Sequence, residues 1–224
     1  MKKHIPNFLT SCNLAAGCVA IVLAFEGQVE LAVYLIWLAM IFDFFDGLAA
    51  RALKVSSPIG KELDSLADMV SFGVVPAVVL YQLMGEAQFA LIAFVVTIFS
   101  ALRLAKFNTD DNQQTDFIGL PTPANALFLT SLVFINPEGY LSFMLNEQVL
   151  AITSVIFALL LVSPIRLFSL KFKSMGWREN KIRFIFLATA MSFILVFGFI
   201  GLPFTILAYI VLSAIYNLTR LKAQ

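Results

Sequence analysis

The stretch DFFDGLAARALKVSSPIGKELDSLAD, residues 43–68, places four aspartates at the edges of two strongly apolar segments. They form two pairs, with spacings of three and four residues, at Asp43, Asp46, Asp64 and Asp68. Residues at these spacings share one face of a helix. A connection of about a dozen residues makes the two helices antiparallel neighbours, so we expect the four carboxylates to converge.

The surrounding sequence is typical of an integral membrane protein. Of its 224 residues, 60% are hydrophobic and 13% are charged, and the mean hydropathy is +0.91. A soluble core of this length could not bury so much apolar surface. Apolar runs of about 20 residues can cross the roughly 30 Å hydrocarbon layer as helices. We therefore expect an all-α polytopic membrane protein with a single membrane-embedded domain.

Eight candidate membrane-spanning helices alternate with polar breaks. The first is expected to be retained rather than cleaved as a signal peptide, because polar residues interrupt its apolar run and no cleavage site follows. Pro121 and Pro123 are expected to mark the start of the fifth span. The predicted spans cover approximately residues 8–25, 31–51, 63–84, 88–106, 121–136, 148–168, 182–201 and 203–220.

The distribution of basic residues predicts the orientation of the chain. If the N-terminus lies inside, all fifteen lysines and arginines fall on the cytoplasmic side, whereas the outside connections carry acids and no basic residue. This asymmetry is what the positive-inside rule describes. We therefore expect an integral protein of the cytoplasmic (inner) membrane, with both termini and the four carboxylates at its cytoplasmic face.

Four carboxylates at one membrane surface repel one another and lose hydration unless cations neutralise them. Hard oxygen ligands suit Mg²⁺, Mn²⁺ or Ca²⁺. The alternative is a structural role, in which the aspartates form salt bridges with Arg51, Lys54 and Lys61. Ionisable residues within a membrane more often mark functional sites, which favours a metal site.

Small residues at fixed positions complete the pattern around the aspartates. Gly47 directly follows Asp46, and Gly60 precedes Asp64 by four residues. A glycine is expected at such places when a ligand or another backbone approaches closely. The chain resembles the CDP-alcohol phosphatidyltransferase family, whose signature is matched at every position by the run Asp43-x2-Asp46-Gly47-x2-Ala50-Arg51-x8-Gly60-x3-Asp64-x3-Asp68.

The resemblance implies a homodimeric membrane enzyme that displaces CMP from a CDP-linked lipid with an alcohol. It implies a six-helix catalytic core in residues 1–168, followed in residues 169–224 by a basic cytoplasmic loop and two additional spans. The four aspartates would bind one or two ions of Mg²⁺ or Mn²⁺, which would neutralise the departing CMP. Asp68 is the expected general base on the acceptor hydroxyl, with proton loss to water as the alternative.

The resemblance also implies a nucleotide site beside the aspartates. Gly47 and Ala50 would leave room for the cytidine, and Gly60 would allow close backbone contact. Arg51 would contact a phosphate, although it could equally be a snorkelling anchor at the membrane surface.

Segments beyond the signature resemble the serine-accepting branch of the family. These segments are IPNFLTSCNLAAG at 5–17, RLAKFN at 103–108 and FIGLPTPANA at 117–126. The resemblance implies transfer of the phosphatidyl group of CDP-diacylglycerol to the hydroxyl of L-serine, giving phosphatidylserine and CMP. Arg103 and Lys106 could supply a cation for the serine carboxylate, or could simply anchor their helix, and Asn108 completes the expected acceptor residues.

Other acceptors and one other function are kept as alternatives. The same chemistry could use glycerol 3-phosphate, an inositol phosphate or another small alcohol, and the donor could carry ether-linked chains. A cation transporter would have its acids near the bilayer midplane, whereas these acids lie at one surface. A phosphohistidine mechanism is excluded because His4 is the sole histidine. Asn7, Thr10 and Asn13 share one face of the first helix and would either reach the nucleotide or bond to other helices.

Overall fold

The structure, a computed structural model, describes residues 4–55, 57–109, 117–168 and 176–221. Nearly all of these residues are helical, and the expected all-α membrane architecture is confirmed. In the described chain, the segments long and apolar enough to cross a membrane are His4–Phe25, Val29–Leu53, Pro58–Met84, Ala90–Thr109 and Asn180–Asn217. Shorter apolar helices cover Thr122–Phe134 and Glu147–Val162. The count of eight membrane spans therefore stays a prediction.

The first two helices form an antiparallel pair. α1 covers His4–Phe25 and α2 covers Val29–Leu53. Gly27 makes the turn between them with a φ of 80°, a left-handed conformation that glycine adopts at little cost. Small side chains let membrane helices approach closely. The buried faces of this pair accordingly carry Ala20, Ala24, Ala32 and Ala39.

The third span begins earlier than predicted and changes its winding midway. It consists of α3 at Pro58–Asp68, a π-helical turn at Met69–Val74 and α4 at Val75–Met84. The predicted start at residue 63 is wrong. Ser57 caps the helix by accepting a backbone hydrogen bond at 3.0 Å, and a proline occupies the first turn. The residues of that turn are too polar to be recognised by hydropathy.

The next two helices each adjoin a 3-10 turn. α5 covers Val95–Thr109 and follows a 3-10 turn at Ala90–Phe94. α6 covers Thr122–Ser131 and continues into a 3-10 turn at Leu132–Phe134. Pro121 is the N-cap residue of α6, and a second proline lies in its first turn, so a helix begins where the start of the fifth span was predicted.

The predicted sixth span is shorter than expected because it ends in a strand. α7 covers Glu147–Val162 after a 3-10 turn at Ser142–Leu145. Its predicted end at residue 168 is wrong, because Ser163 precedes a proline and takes an extended conformation with a ψ of 150°. The chain then forms strand β2, Arg166–Leu167, which pairs antiparallel with β1, Phe117–Ile118.

The chain ends in a helical hairpin. α8 covers Trp177–Phe197, a 3-10 turn covers Gly198–Ile200, and α9 covers Gly201–Leu221. The two helices pack against each other, and α9 also packs against α6. The predicted basic loop begins in residues 169–175, which lie outside the described residues.

Two apolar cores meet on α4. One core joins α4 to the first helical pair through residues that include Val33 and Val79. The other joins α4 to α6, α7 and α9 through residues that include Leu129, Leu150 and Ile206. α4 therefore connects the helices that carry the aspartates to the later helices and the C-terminal hairpin.

Candidate metal and nucleotide site

The facing ends of α2 and α3 bring aspartates together beside a short connection. Lys54, directly after the end of α2, takes a left-handed conformation with a φ of 53° and turns the chain toward α3. Asp43, Asp64 and Asp68 each present a carboxylate oxygen, and these three oxygens lie within 4.8 Å of one another. The structure therefore brings three of the four predicted aspartates into one cluster.

The fourth aspartate lies at the side of this cluster and is held by α1. Asp46 is 6% exposed, and its Oδ2 accepts a hydrogen bond from the Thr10 hydroxyl at 2.6 Å. Hydrogen bonds to a charged oxygen are stronger than those between neutral groups. This contact fixes the orientation of the Asp46 carboxylate relative to the other three.

A second contact from α1 reaches the aspartate at the end of α3. Asn13 donates its side-chain N–H to Asp68 Oδ1 at 3.3 Å. The backbone carbonyl of Asn13 in turn accepts from the Ser71 hydroxyl at 3.0 Å. Gly17 allows this approach, since a Cβ there would lie 2.4 Å from the Ser71 oxygen. The interpretation of Thr10 and Asn13 as helix-bonding residues is confirmed, and their partners are the aspartates themselves.

The cluster has the composition of a divalent cation site. Metal–oxygen bonds to Mg²⁺ or Ca²⁺ are about 2.0–2.6 Å long. Two oxygens on one ion can therefore be up to about twice that distance apart, and the three carboxylate oxygens lie within 4.8 Å of one another, so a single ion could contact them all. Asp64 Oδ1 is buried without a hydrogen-bond partner among the described residues. An unpaired buried carboxylate oxygen is costly, and a bound cation would satisfy it. The residues present therefore fit a divalent cation.

The basic residues nearby do not neutralise the cluster. Arg51 and Lys54 are exposed. The Lys61 ammonium donates a hydrogen bond to the Asn108 backbone carbonyl at 3.0 Å. The charged groups that act on Asp43 are Asp64 and Asp46. Among the described residues, the carboxylates thus repel one another without a salt bridge to Arg51, Lys54 or Lys61, which argues against the purely structural role considered from the sequence.

A cleft of about 270 Å³ opens beside the aspartates. Five of the residues expected in the metal and nucleotide sites line it, together with residues of α1, of α3 and of the connection between α2 and α3. The lining residues are Pro6, Asn7, Thr10, Asp46, Gly47, Ala50, Val55, Ser57, Gly60, Lys61 and Asp64. The cleft is therefore the candidate nucleotide site, and it shares Asp46 and Asp64 with the aspartate group.

The two signature glycines have different surroundings in this cleft. A Cβ on Gly60 would lie 3.0 Å from Ser57 Oγ and 3.1 Å from Asn7 Oδ1, so the wall of the cleft is tight there. A Cβ on Gly47 would meet only the Arg51 guanidinium, at 3.5 Å. Arg51 thus lies over the edge of the cleft, and its side chain is exposed rather than one of the lining groups.

The predicted acceptor residues lie on α5, apart from the cleft. Arg103 and Lys106 line a separate small cavity with Ile118, Val162 and residues next to them. Arg103 is partly buried, its Nε lacks a hydrogen-bond partner among the described residues, and its charge acts on Asp68. Arg103 is therefore placed between this cavity and the aspartates.

Asn108 takes a different position from the other two acceptor candidates. It donates its side-chain N–H to Ser65 Oγ at 2.8 Å, and its backbone carbonyl is the acceptor for Lys61. These contacts tie the end of α5 to α3. The structure does not place Asn108 in the lining of the cavity beside Arg103.

Sequence reasoning missed several polar residues of the site. Ser57 and Lys61 line the cleft, and Ser71 supports Asn13. The serine before Pro58 is a recognisable helix-capping signal and could have been found. Ser71 lies in an apolar segment one helical turn beyond Asp68, and its partner on α1 is far away in sequence, so no local pattern marks it.

Comparison with known sequences extends these observations to the whole chain. The CDP-alcohol phosphatidyltransferase family matches this sequence over residues 3–218. The matched range contains the aspartate cluster, the cleft, the acceptor candidates on α5 and nearly all of the C-terminal hairpin.

Curated relatives are similar over most of their length. One from Bacillus subtilis is 37% identical over 167 residues, which cover 73% of this chain and 89% of the relative. One from Helicobacter pylori is 31% identical over 195 residues, which cover 84% of this chain and 81% of the relative. One from Methanocaldococcus jannaschii is 33% identical over 217 residues, covering 96% and 93%. Each is named a CDP-diacylglycerol–serine O-phosphatidyltransferase. The chain belongs to the CDP-alcohol phosphatidyltransferase family.

Proposed function

We propose that this protein transfers the phosphatidyl group of CDP-diacylglycerol to the hydroxyl of L-serine, giving phosphatidylserine and CMP. The observation that carries the proposal is the cluster of Asp43, Asp64 and Asp68 beside a cleft lined by the signature residues Gly47 and Ala50. The names of the three relatives support serine as the acceptor. The serine oxygen forms the new bond to the phosphatidyl phosphorus, and the bond from that phosphorus to the CMP oxygen breaks.

In this proposal the four aspartates hold one or two divalent cations, Mg²⁺ or Mn²⁺. The oxygen-only donor set supports these hard ions. A cation bound there would neutralise the diphosphate and the departing CMP. Thr10 and Asn13 hold the carboxylates of Asp46 and Asp68 by hydrogen bonds, so that both are oriented before substrate binds.

Asp68 is the proposed general base. It belongs to the aspartate cluster and interacts electrostatically with Arg103, one of the proposed acceptor residues. Asn13 donates to its Oδ1, and the carboxylate would accept the proton of the serine hydroxyl. Transfer of that proton to water is the alternative.

Arg103 and Lys106 are proposed to bind the serine carboxylate. The buried Nε of Arg103 without a partner supports this assignment, because a carboxylate would satisfy it. Asn108 donates its amide N–H to Ser65, so the group that it could offer to the serine ammonium is Oδ1. In the cleft, Gly47, Ala50 and Gly60 make room for the nucleotide, and Arg51 contacts a phosphate from its edge.

The placement of the enzyme in the cell follows from the charge pattern. We propose that it lies in the cytoplasmic (inner) membrane with its active site and both termini in the cytoplasm, and that it acts as a homodimer. Residues 1–168 form the proposed catalytic core. Residues 169–224 add the basic loop and the hairpin of α8 and α9.

The proposal is tested by following labelled serine into lipid. Purified protein in detergent is given CDP-diacylglycerol, labelled L-serine and Mg²⁺ or Mn²⁺, and we expect one phosphatidylserine for each CMP released. Asp64→Asn should abolish incorporation, and Glu62→Gln, an exposed residue on the same helix, is the matched control. Cation flux in liposomes without lipid turnover would instead identify a transporter. CMP release that occurs with another acceptor and not with serine would reject serine.

A further inference from the structure

The C-terminal hairpin contacts the segment that follows α7. α9 approaches strand β2 through two side chains, Tyr209 and Asn217, which lie about two helical turns apart. The Tyr209 hydroxyl donates to the backbone carbonyl of Phe168 at 2.9 Å, and the Asn217 amide donates to the backbone carbonyl of Arg166. Both bonds therefore act on the backbone of β2 or the residue directly after it.

The contact at Tyr209 is buried and well packed. Tyr209 is 5% exposed, and its ring meets that of Phe168 edge-on with centroids 5.0 Å apart. Phe186 of α8 packs against both rings, at 6.0 Å and 5.4 Å. The hairpin thus contacts the end of β2 through an aromatic cluster as well as through hydrogen bonds.

The strand pair held in this way is too short to be stable alone. It consists of two residues on each side, with Phe117 opposite Leu167 and Ile118 opposite Arg166. Even complete two-stranded hairpins are marginally stable in water. The position of β1 therefore depends partly on what holds β2, besides the backbone bond from the Leu120 N–H to the Leu160 carbonyl of α7 at 2.9 Å. In the described chain α9 provides side-chain hydrogen bonds to β2 and to the residue after it.

The strand pair adjoins the cavity that the acceptor candidates line. Ile118 of β1 and Ser163, which precedes β2, line that cavity with Arg103 and Lys106. Directly after β1, the Gly119 N–H donates to the Ile165 carbonyl at 2.9 Å. Gly119 has a φ of 77°, and a Cβ there would lie 2.3 Å from a carbonyl oxygen of α7, so the wall has little space to move.

We propose that Tyr209 and Asn217 are positioning residues for the acceptor, acting through β2 and β1 on the cavity beside Arg103 and Lys106. The inference rests on the proposed function in placing the acceptor beside Arg103 and Lys106. It gives the C-terminal hairpin a role in the reaction that is separate from the metal and nucleotide sites. Loosening the hairpin should weaken binding of the acceptor and leave the donor unaffected.

The first test removes a single hydroxyl. Tyr209→Phe keeps the aromatic cluster and loses the bond to the Phe168 carbonyl. We expect the KM for the acceptor to rise about fivefold, which corresponds to about 1 kcal/mol at about 1.4 kcal/mol per factor of ten. The KM for CDP-diacylglycerol and the Mg²⁺ requirement should not change. Tyr34→Phe is the matched control, since Tyr34 is partly exposed and lies at the end of α2 away from the aspartates.

The second test changes the other contact without changing side-chain size. Asn217→Asp replaces the hydrogen-bonding amide N–H by a carboxylate that faces the Arg166 carbonyl. The change should raise the KM for the acceptor substrate as Tyr209→Phe does. Asn146→Asp is its control, because Asn146 uses its side-chain oxygen to accept from the Gln148 N–H, and an aspartate keeps that bond. Equal changes in donor and acceptor KM, or a loss of kcat alone, would overturn the positioning role.

The assay separates this inference from the proposed function. All variants are measured with whichever acceptor supports CMP release by the unmodified protein. If that acceptor is not serine, the proposed function fails, and a selective rise in the KM of the true acceptor still supports the role of Tyr209 and Asn217. If serine is the acceptor and its KM is unchanged in both variants, the proposed function stands and the positioning role is rejected.

Discussion

The metal side and the acceptor side of this molecule are assembled in different ways. The metal side, defined by Asp43, Asp46, Asp64 and Asp68, comes from two consecutive helices and is braced by α1. The acceptor side, defined by Arg103, Lys106 and the β1–β2 pair, combines segments from α5 to α7 and is held by α9. The difference suggests that bond breaking and choice of acceptor can be altered separately by mutation.

The largest effect is expected from Asp64→Asn on the metal side. This change removes a charged ligand whose buried oxygen has no protein partner in the described chain. Because a bound cation supplies several kcal/mol of charge stabilisation, turnover should fall at least about a thousandfold for every acceptor. CMP release measures the loss. Turnover near that of the Glu62→Gln control would contradict the assignment of the metal site.

Arg103→Ala should have the next largest effect, and on a different parameter. Loss of a hydrogen bond to a charged group, about 2 kcal/mol, should raise the serine KM about thirtyfold. The KM for CDP-diacylglycerol should stay nearly unchanged, because the nucleotide cleft does not include Arg103. Steady-state kinetics with each substrate varied provide the measurement.

The control for that change is Lys181→Ala, which removes an exposed basic residue on α8. It lowers the basic charge of the molecule by the same amount and should leave both KM values as they were. An unchanged serine KM in Arg103→Ala would remove Arg103 from the acceptor side.

Asn13→Ala tests whether α1 braces the metal side. The bond from Asn13 orients the Asp68 carboxylate, and loss of such a supporting bond typically costs about tenfold in metal affinity. The Mn²⁺ concentration for half-maximal activity should rise about tenfold. At saturating Mn²⁺ the kcat should be near normal. Ser11→Ala, on an exposed face of α1, should require no additional metal. An unchanged metal requirement in Asn13→Ala would show that the brace does not matter.

Gly60→Ala should have the smallest effect, and that effect should be on the KM for the donor, CDP-diacylglycerol. The added methyl would press on Ser57 Oγ at 3.0 Å and on Asn7 Oδ1 at 3.1 Å, so the cleft wall must shift. A strain of about 1 kcal/mol should raise the KM for CDP-diacylglycerol about fivefold. Gly139→Ala is the control, since its nearest contact is also tight, at 3.3 Å, but lies in a loop far along the chain. A rise in the serine KM instead would contradict the division between the two sides.

Much of the metal side could be predicted from the sequence because its pattern is local. Spacings of three and four residues fix which face of α2 and α3 carries the aspartates, and a short connection brings the helices together. The start of α3 at Pro58 was not predicted, because polar residues in its first turn carry no hydropathy signal. Its cap at Ser57 is a better guide than hydropathy there.

The acceptor side was harder to predict because its contacts are distant in sequence. Arg103 and Lys106 could be proposed from their spacing on one helix, but nothing local indicates that Phe117 pairs with Leu167. Two-residue strands are too short for a periodic pattern, so hydropathy extended α7 to residue 168. The hydrogen bonds from α9 to this region depend on packing between helices and have no signature of their own.

The most direct test of the central claim is metal-dependent CMP release with a panel of acceptors. Purified protein in detergent is given CDP-diacylglycerol with serine, glycerol 3-phosphate, inositol or an inositol phosphate, each with Mg²⁺ or Mn²⁺ and then with a chelator. We predict release with serine alone, lost on chelation and recovered when metal is returned. Release that needs another acceptor, or that continues with the metal removed, would contradict the proposed reaction.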